Sequence, residues 1–344
     1  MTKAIALLSG GLDSILAVRI ILEQKIEIEA INFLTVFCTC TTKGKTCLAS
    51  KSAADKLGIK LKVFEVSKEY FEIIKNPKYG YGRNMNPCLD CRIFMLKKAG
   101  QYMVETGAKF LITGEVLGER PMSQRKDAMR IIERDSGLGG LILRPLSAKL
   151  LEPTIPEKEG LVDREELLSI QGRSRKPQMQ LAAEFGINDY PCPAGGCLLT
   201  DSEFASRMRD LIRHKPDFSV NDVRLLRAGR HFRLTPESKL IVGRNQEENN
   251  RLLDLASDGD LCFQPVKEKG PVGIGKGVFT DGSIFIAASI IARYSDEGEA
   301  GQLEVAYGRI PNKEDNSIKT SSLNQKRLDE LRIKSFPPET YKNS

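Results

Sequence analysis

The chain of 344 residues is 41% hydrophobic and 28% charged, carries a formal net charge of +7 and holds eight cysteines. Two or three domains fit that length, the apolar content excludes a disordered chain, and the positive charge points weakly to a polyanionic partner. No apolar run approaches the ~20 residues a bilayer span needs, and Gly10-Gly11-Leu12-Asp13 interrupts the first apolar run where a secretory leader would continue, so the expectation is a cytoplasmic protein with no membrane partner.

Apolar, strand-like runs fall at 3–8, 26–34, 61–67, 109–114 and 141–146, with helical patterns at 15–25, 47–57, 68–75, 91–106 and 124–134. The alternation predicts an α/β fold, a doubly wound parallel sheet, in which ligands sit beyond the carboxyl ends of the strands. Ser9-Gly10-Gly11-Leu12-Asp13-Ser14 lies at that edge after the first strand. Strand, glycine turn and helix together present free backbone N–H groups and a positive helix end to an anion. Gly10 and Gly11 permit positive φ and close approach of a phosphate, Ser9 and Ser14 add hydroxyls, and Asp13 is a candidate helix cap. No Walker lysine follows, which argues against a kinase-type P-loop. Cys38-Thr39-Cys40 lies at the same edge after the second strand, and Thr113-Gly114-Glu115 after the fourth. Residues 118–124 beyond it suit nucleotide or base recognition, and Arg144, closing the fifth strand, is a candidate either for a phosphate contact or for the surface.

Seven of the eight cysteines fall into three clusters: Cys38, Cys40 and Cys47; Cys88 and Cys91; Cys192 and Cys197. In a cytosolic-type sequence this points to metal or redox chemistry rather than structural disulfides. Asn86-Pro87-Cys88-Leu89-Asp90-Cys91-Arg92 opens a helix, whose positive end favours thiolates. On spacing alone zinc, a redox dithiol and an iron–sulfur site all stay open. Around 190–201, glycines leave Cys197 unobstructed, and Cys192, between two prolines, is its alternate. The first cluster offers three local thiols, one short of a closed zinc site, and its role stays open.

Gly172-Arg173-Ser174-Arg175-Lys176 is a compact basic patch suited to a phosphate backbone or to a solvated loop. From about residue 202 the pattern changes to a basic amphipathic helix at 204–214 and short β-like runs at 229–234 and 239–245. There Arg, His and Phe stand side by side, which suits RNA, where cations meet phosphate and an aromatic ring can stack on a base. His214 and His231 have no metal-ligand spacing to cysteine and read as polar or RNA-contacting residues. Residues 284–292 read as a buried helix. The expected division is a first domain at 1–170, a linker at 171–205 carrying Cys192 and Cys197, a smaller α+β domain at 206–312 and a polar tail at 313–344.

Taken together, Ser9–Ser14, the Cys88–Cys91 motif, the 113–124 segment and the Cys197 turn resemble the tRNA-thiolation branch of the PP-loop ATP pyrophosphatases, which contains the 2-thiouridine and 4-thiouridine synthetases, over about residues 1–200. The resemblance implies an adenine nucleotide α-hydrolase-like domain. In it Ser9, Gly10, Gly11, Asp13 and Ser14 cradle ATP, with Thr113, Gly114 and Glu115 near the nucleotide and Mg²⁺ on the pyrophosphate. Such enzymes adenylate a uridine carbonyl oxygen of tRNA, releasing pyrophosphate; sulfur from sulfide or a persulfide carrier then displaces AMP. Some members work through a cysteine persulfide, and others hold a [4Fe-4S] cluster on three cysteines with one iron vacant. A CxxC plus a distant cysteine resembles the second pattern, which implies Cys88, Cys91 and Cys197 as ligands, with Cys192 the alternate third. Residues 287–295 and 303–307 resemble the NFACT-type RNA-binding domain, which makes tRNA the expected partner. The rivals are a cluster-free persulfide enzyme, a PP-loop amide-forming ligase or amidotransferase, which needs no cysteine triad, and a non-catalytic RNA-binding protein.

Overall fold

The computed structural model describes residues 2–38, 47–190, 197–267, 269–296, 301–312 and 315–334. Its elements divide into two compact units, 1–200 and 201–344. The first contains β1 (Lys3–Leu7), α1 (Leu12–Glu23), β2 (Glu27–Leu34), α2 (Cys47–Leu57), β3 (Lys60–Glu65), α3 (Ser67–Lys75), α4 (Cys88–Glu105), β4 (Phe110–Thr113), α5 (Lys126–Ser136), β5 (Ile142–Leu143), α6 (Ile155–Lys158) and α7 (Lys176–Glu184). The five strands pair in parallel in the order β3-β2-β1-β4-β5, so all the expected strands form. β1 shows why they were legible: Ala4, Ile5 and Ala6 are all fully buried, because both faces of a parallel sheet are covered. Ala4 and Ala6 share a core with Leu16, Ile21 and Ala182, whereas Ile5 faces the opposite core with Leu96 and Met103. Helices thus cover both faces, and the strand order reverses at β1, which opens a crevice between the carboxyl ends of β1 and β4.

Within the expected linker, residues 171–190 and 197–200 pack into the first unit. Ala182 of α7 is part of the β1–α1 core, Cys197 pairs with Cys38 in an isolated antiparallel bridge, and the Leu198 N–H donates to the Phe37 carbonyl at 3.0 Å. A short apolar stripe (Leu181, Ala182, Phe185) set among Arg, Lys, Pro and Gln hid this helix from composition.

The second unit contains α8 (Ser202–His214), α9 (Val220–Leu225), β6 (Arg230–Arg233), β7 (Ser238–Val242), α10 (Gln246–Leu255), β8 (Leu261–Pro265), β9 (Gly273–Gly277), α11 (Asp281–Arg293), β10 (Leu303–Arg309), β11 (Asn316–Thr320) and α12 (Gln325–Leu331). Its six strands run antiparallel in the order β11-β10-β8-β9-β7-β6. Ala287, Ala288 and Ile291 of α11 pack on this sheet against Leu240, Phe263 and Val305. Two expectations are corrected here. Residues 315–334 are no surface tail: β11 pairs with β10, and Leu328 and Leu331 of α12 enter the core. The Arg-His-Phe-Arg run offers no exposed ring either. Phe232 and His231 are buried, His231 Nε2 lies 2.9 Å from the Ala228 carbonyl, and burial holds the imidazole well below its usual pKa, hence neutral. Arg233 and the buried Lys239 both donate to Asp210, at 2.7 and 2.9 Å. Among the described residues no helix is long and apolar enough to cross a membrane.

Candidate functional site

The turn between β1 and α1 sits at the crevice. Gly10 has φ +79°, and a Cβ there would lie 2.6 Å from the Ala49 backbone, so this position tolerates only glycine. Gly11 differs from expectation: its φ is −79°, it is the N-cap of α1, and no side chain caps the helix. Asp13 is therefore in the first turn rather than the cap. Ser14 Oγ donates to the Gly11 carbonyl at 2.8 Å and lies 3.2 Å from Ser9 Oγ. The end of β4 presses on the same turn, since a Cβ on Gly114 would lie 2.5 Å from the Ser14 nitrogen. An uncapped helix start in such a crevice is a ready site for phosphate.

Glu115 points elsewhere. Arg92 Nη2 and Arg144 Nε hold its two oxygens at 2.7 and 3.0 Å, and Arg144 also pairs with Glu133. Burial alone would raise the Glu115 pKa; the guanidinium groups of Arg92 and Arg144 reverse that and hold it at about 2. The network ties α4, β4, α5 and β5 together. Arg144, 3% exposed, is not a surface arginine.

Around Asp13 stand groups from two further segments. Burial raises the Asp13 pKa against the opposing pull of Arg175, the Gln178 amide and Arg120. Burial and the Asp13 charge likewise raise Glu119. Asp13 Oδ1 and both amide atoms of the fully buried Gln178 have no hydrogen bond of good geometry, although the Gln178 amide lies close enough to Asp13 to pull its pKa down. The basic patch at 172–176 is thus delivered, through Arg175, to the turn after β1.

The thiols gather beside this turn. Cys88, Cys91 and Cys197 lie within electrostatic reach of one another, and Cys38 acts on both Cys91 and Cys197. The buried Tyr70 hydroxyl lies beside the Cys91 thiol and favours its ionised form. Burial pushes Cys88 up, Cys91 to about 11 and Cys197 to about 12, so the helix start at Cys88 does not yield the thiolate that position suggested: desolvation outweighs the helix end. Arg120 acts on both the Cys88 thiol and the Asp13 carboxyl, which joins the two halves of the site. Cys40 and Cys192 lie outside the described residues, as does the Cys47 side chain. Among the described residues no group of three or more His, Cys, Asp or Glu stands ready for a single metal ion. A cubane cluster spreads its thiolates over separate corners, and four half-buried thiols converging without an acidic or imidazole donor fit that group in donor chemistry. Tyr70 and Gln178 escaped the sequence, whereas Arg120 belongs to the 118–124 segment expected to serve nucleotide or base recognition. Gln178 left one signal, a polar residue four positions before Ala182 on the buried face of α7.

Residues 1–150 match the family model of the thiamine biosynthesis protein (ThiI), and residues 229–332 match that of the NFACT protein RNA binding domain. Among curated relatives, the tRNA-specific 2-thiouridylase MnmA of Marinobacter nauticus is 23% identical over 229 residues, covering 62% of this chain and 55% of that protein. That of Petrotoga mobilis is 30% identical over 130 residues, covering 33% and 35%. The chain spans less than two thirds of the length of either. Among solved structures, a 4-thiouridine synthetase–RNA complex with bound ATP overlays at TM-score 0.35 and 20% identity, covering 55% of this chain and 54% of that one. The U34-tRNA thiolase NcsA of Methanococcus maripaludis with its [4Fe-4S] cluster overlays at TM-score 0.34 and 18% identity, covering 66% and 71%. The motifs and both family matches agree: the chain resembles the tRNA-thiolation branch of the PP-loop pyrophosphatases in its first unit and the NFACT RNA-binding domains in its second.

Proposed function

We propose that the protein is an ATP-dependent tRNA sulfurtransferase that adenylates a uridine carbonyl oxygen and replaces that oxygen with sulfur. One observation carries the reading: the phosphate-type turn of α1 and the thiols of Cys88, Cys91 and Cys197 stand at one sheet edge, with Arg120 acting on both. The ATP phosphates face the uncapped N-terminus of α1, whose N–H groups and dipole favour anions. Asp13 would take the Mg²⁺ that accompanies pyrophosphate. The uridine oxygen bonds to the α-phosphorus as the bond to pyrophosphate breaks, and it departs with AMP when sulfur bonds to the carbon. Cys88, Cys91 and Cys197 would hold a [4Fe-4S] cluster, which when bound supplies a vacant iron as a Lewis acid for sulfide. Because burial keeps these thiols protonated near neutrality, loading them releases protons.

Mass spectrometry of tRNA nucleosides from a strain lacking the gene tests the reaction. One thiolated nucleoside should vanish, and unchanged thiolation would sink the reading. Full activity of Cys88→Ala would favour a ligase or amidotransferase. A protein that takes up no iron under anaerobic reconstitution would leave persulfide chemistry at the same cysteines.

A further inference from the structure

We propose that α7 is the second wall of the nucleotide site and that Arg175 and Gln178 bind the metal–triphosphate of ATP, so that the 172–176 basic patch serves the nucleotide rather than RNA. The inference rests on the ATP reading above and concerns a segment outside both family matches, which end at 150 and begin again at 229.

A short relay brings α7 there. Ser147 Oγ accepts from the Leu117 N–H at 2.9 Å and donates to the Ile170 carbonyl at 2.6 Å, and the Gly172 N–H donates to the Leu117 carbonyl at 2.7 Å. The loop after β4 and the approach to α7 therefore run side by side, and Arg175, at the N-cap of α7, arrives where it acts on Asp13.

Three buried polar atoms at this point lack a partner of good hydrogen-bond geometry: Asp13 Oδ1, Gln178 Oε1 and Gln178 Nε2, with the Gln178 amide and Asp13 in each other's reach. Gln178 is 0% exposed. Burying a carboxamide beside a carboxylate oxygen with no well-formed bond at either costs stability, and folds accept that cost where a ligand completes the bonds. The charges specify the ligand. Asp13 and Glu119 ask for a cation, Arg120 and Arg175 for phosphate oxygens, and the Gln178 amide serves either, through its carbonyl to a metal-bound water or its NH₂ to a phosphate. A metal–phosphate ion pair satisfies both sets. An RNA backbone, which is anionic throughout, would set negative charge against Asp13 and Glu119.

Calorimetric titration of the full chain with MgATP, together with filter binding of tRNA without ATP, tests this on wild type, Gln178→Leu and Arg175→Ala. Each variant should bind MgATP about tenfold more weakly or worse with tRNA affinity unchanged. Without nucleotide, Gln178→Leu should melt at or above the wild-type temperature, because it removes a fully buried amide that has no well-formed hydrogen bond. Unchanged MgATP affinity, weakened tRNA binding with intact MgATP binding in Arg175→Ala, or a lowered melting temperature in nucleotide-free Gln178→Leu would each overturn the proposal. Wild-type protein that binds no MgATP would instead bring down the ATP reading itself, and this inference with it.

Discussion

Glu115 was read from its position at the end of β4 as a nucleotide contact, and its surroundings make it an anchor instead. Both oxygens are held by buried or half-buried arginines, so Glu115→Gln leaves Arg144 without a full counter-charge in a dry site. Removing one member of such a group costs about 3–5 kcal/mol. The pH dependence follows from the depressed pKa. With a folded value of about 2 against the ordinary 4.5, the carboxylate contributes its full stability above about pH 4.5 and loses it as the pH falls toward 2. Urea midpoints of wild type and Glu115→Gln should differ most near neutrality and converge over that window; an equal gap at pH 7 and pH 3 would contradict the assignment. At this scale the sequence was only half legible. Which of Thr113, Gly114 and Glu115 faces the crevice depends on Arg92 and Arg144, and no local pattern records that pairing. Burial of Cys88, Cys91 and Cys197 hid in the same way, because a helix start was visible and its desolvation was not.

The elements were legible in proportion to how apolar they are. β1 and β4 are buried on both faces and read as continuous apolar runs. β11, with Ile318 its single large apolar residue, and α7, with its stripe masked by charges, did not. The contact between β4 and α1 was likewise invisible, yet it fixes the shape of the phosphate turn. Gly114→Ala would set a methyl 2.5 Å from the Ser14 nitrogen, and overpacking of this kind costs about 1–3 kcal/mol. The displaced atoms belong to the first turn of α1, so MgATP affinity should fall more steeply than thermal stability. Gly139→Ala is the control, because nothing lies within 4 Å of a Cβ there. Equal behaviour of the two variants in an MgATP titration would show that the β4–α1 contact does not shape the site.

At the scale of the whole molecule, each unit closes its own core. Ala4, Leu16 and Ala182 belong to one, and Phe232, Phe263 and Ile291 to another. Their surfaces divide the chemistry in the same way: the first unit carries the crevice and the thiols, and the second matches an RNA-binding domain over 229–332. Hydrogen exchange of the full chain reads both at once. A ligand present at 100 times its Kd stabilises the unit it binds by about 2.7 kcal/mol, which slows amides that open with that unit by about 100-fold. MgATP should therefore protect β1, β4 and α7 and leave the 229–332 amides unchanged, and tRNA should protect amides within 229–332. Protection by tRNA confined to the first unit would remove RNA binding from the second and return the 172–176 patch to the phosphate backbone.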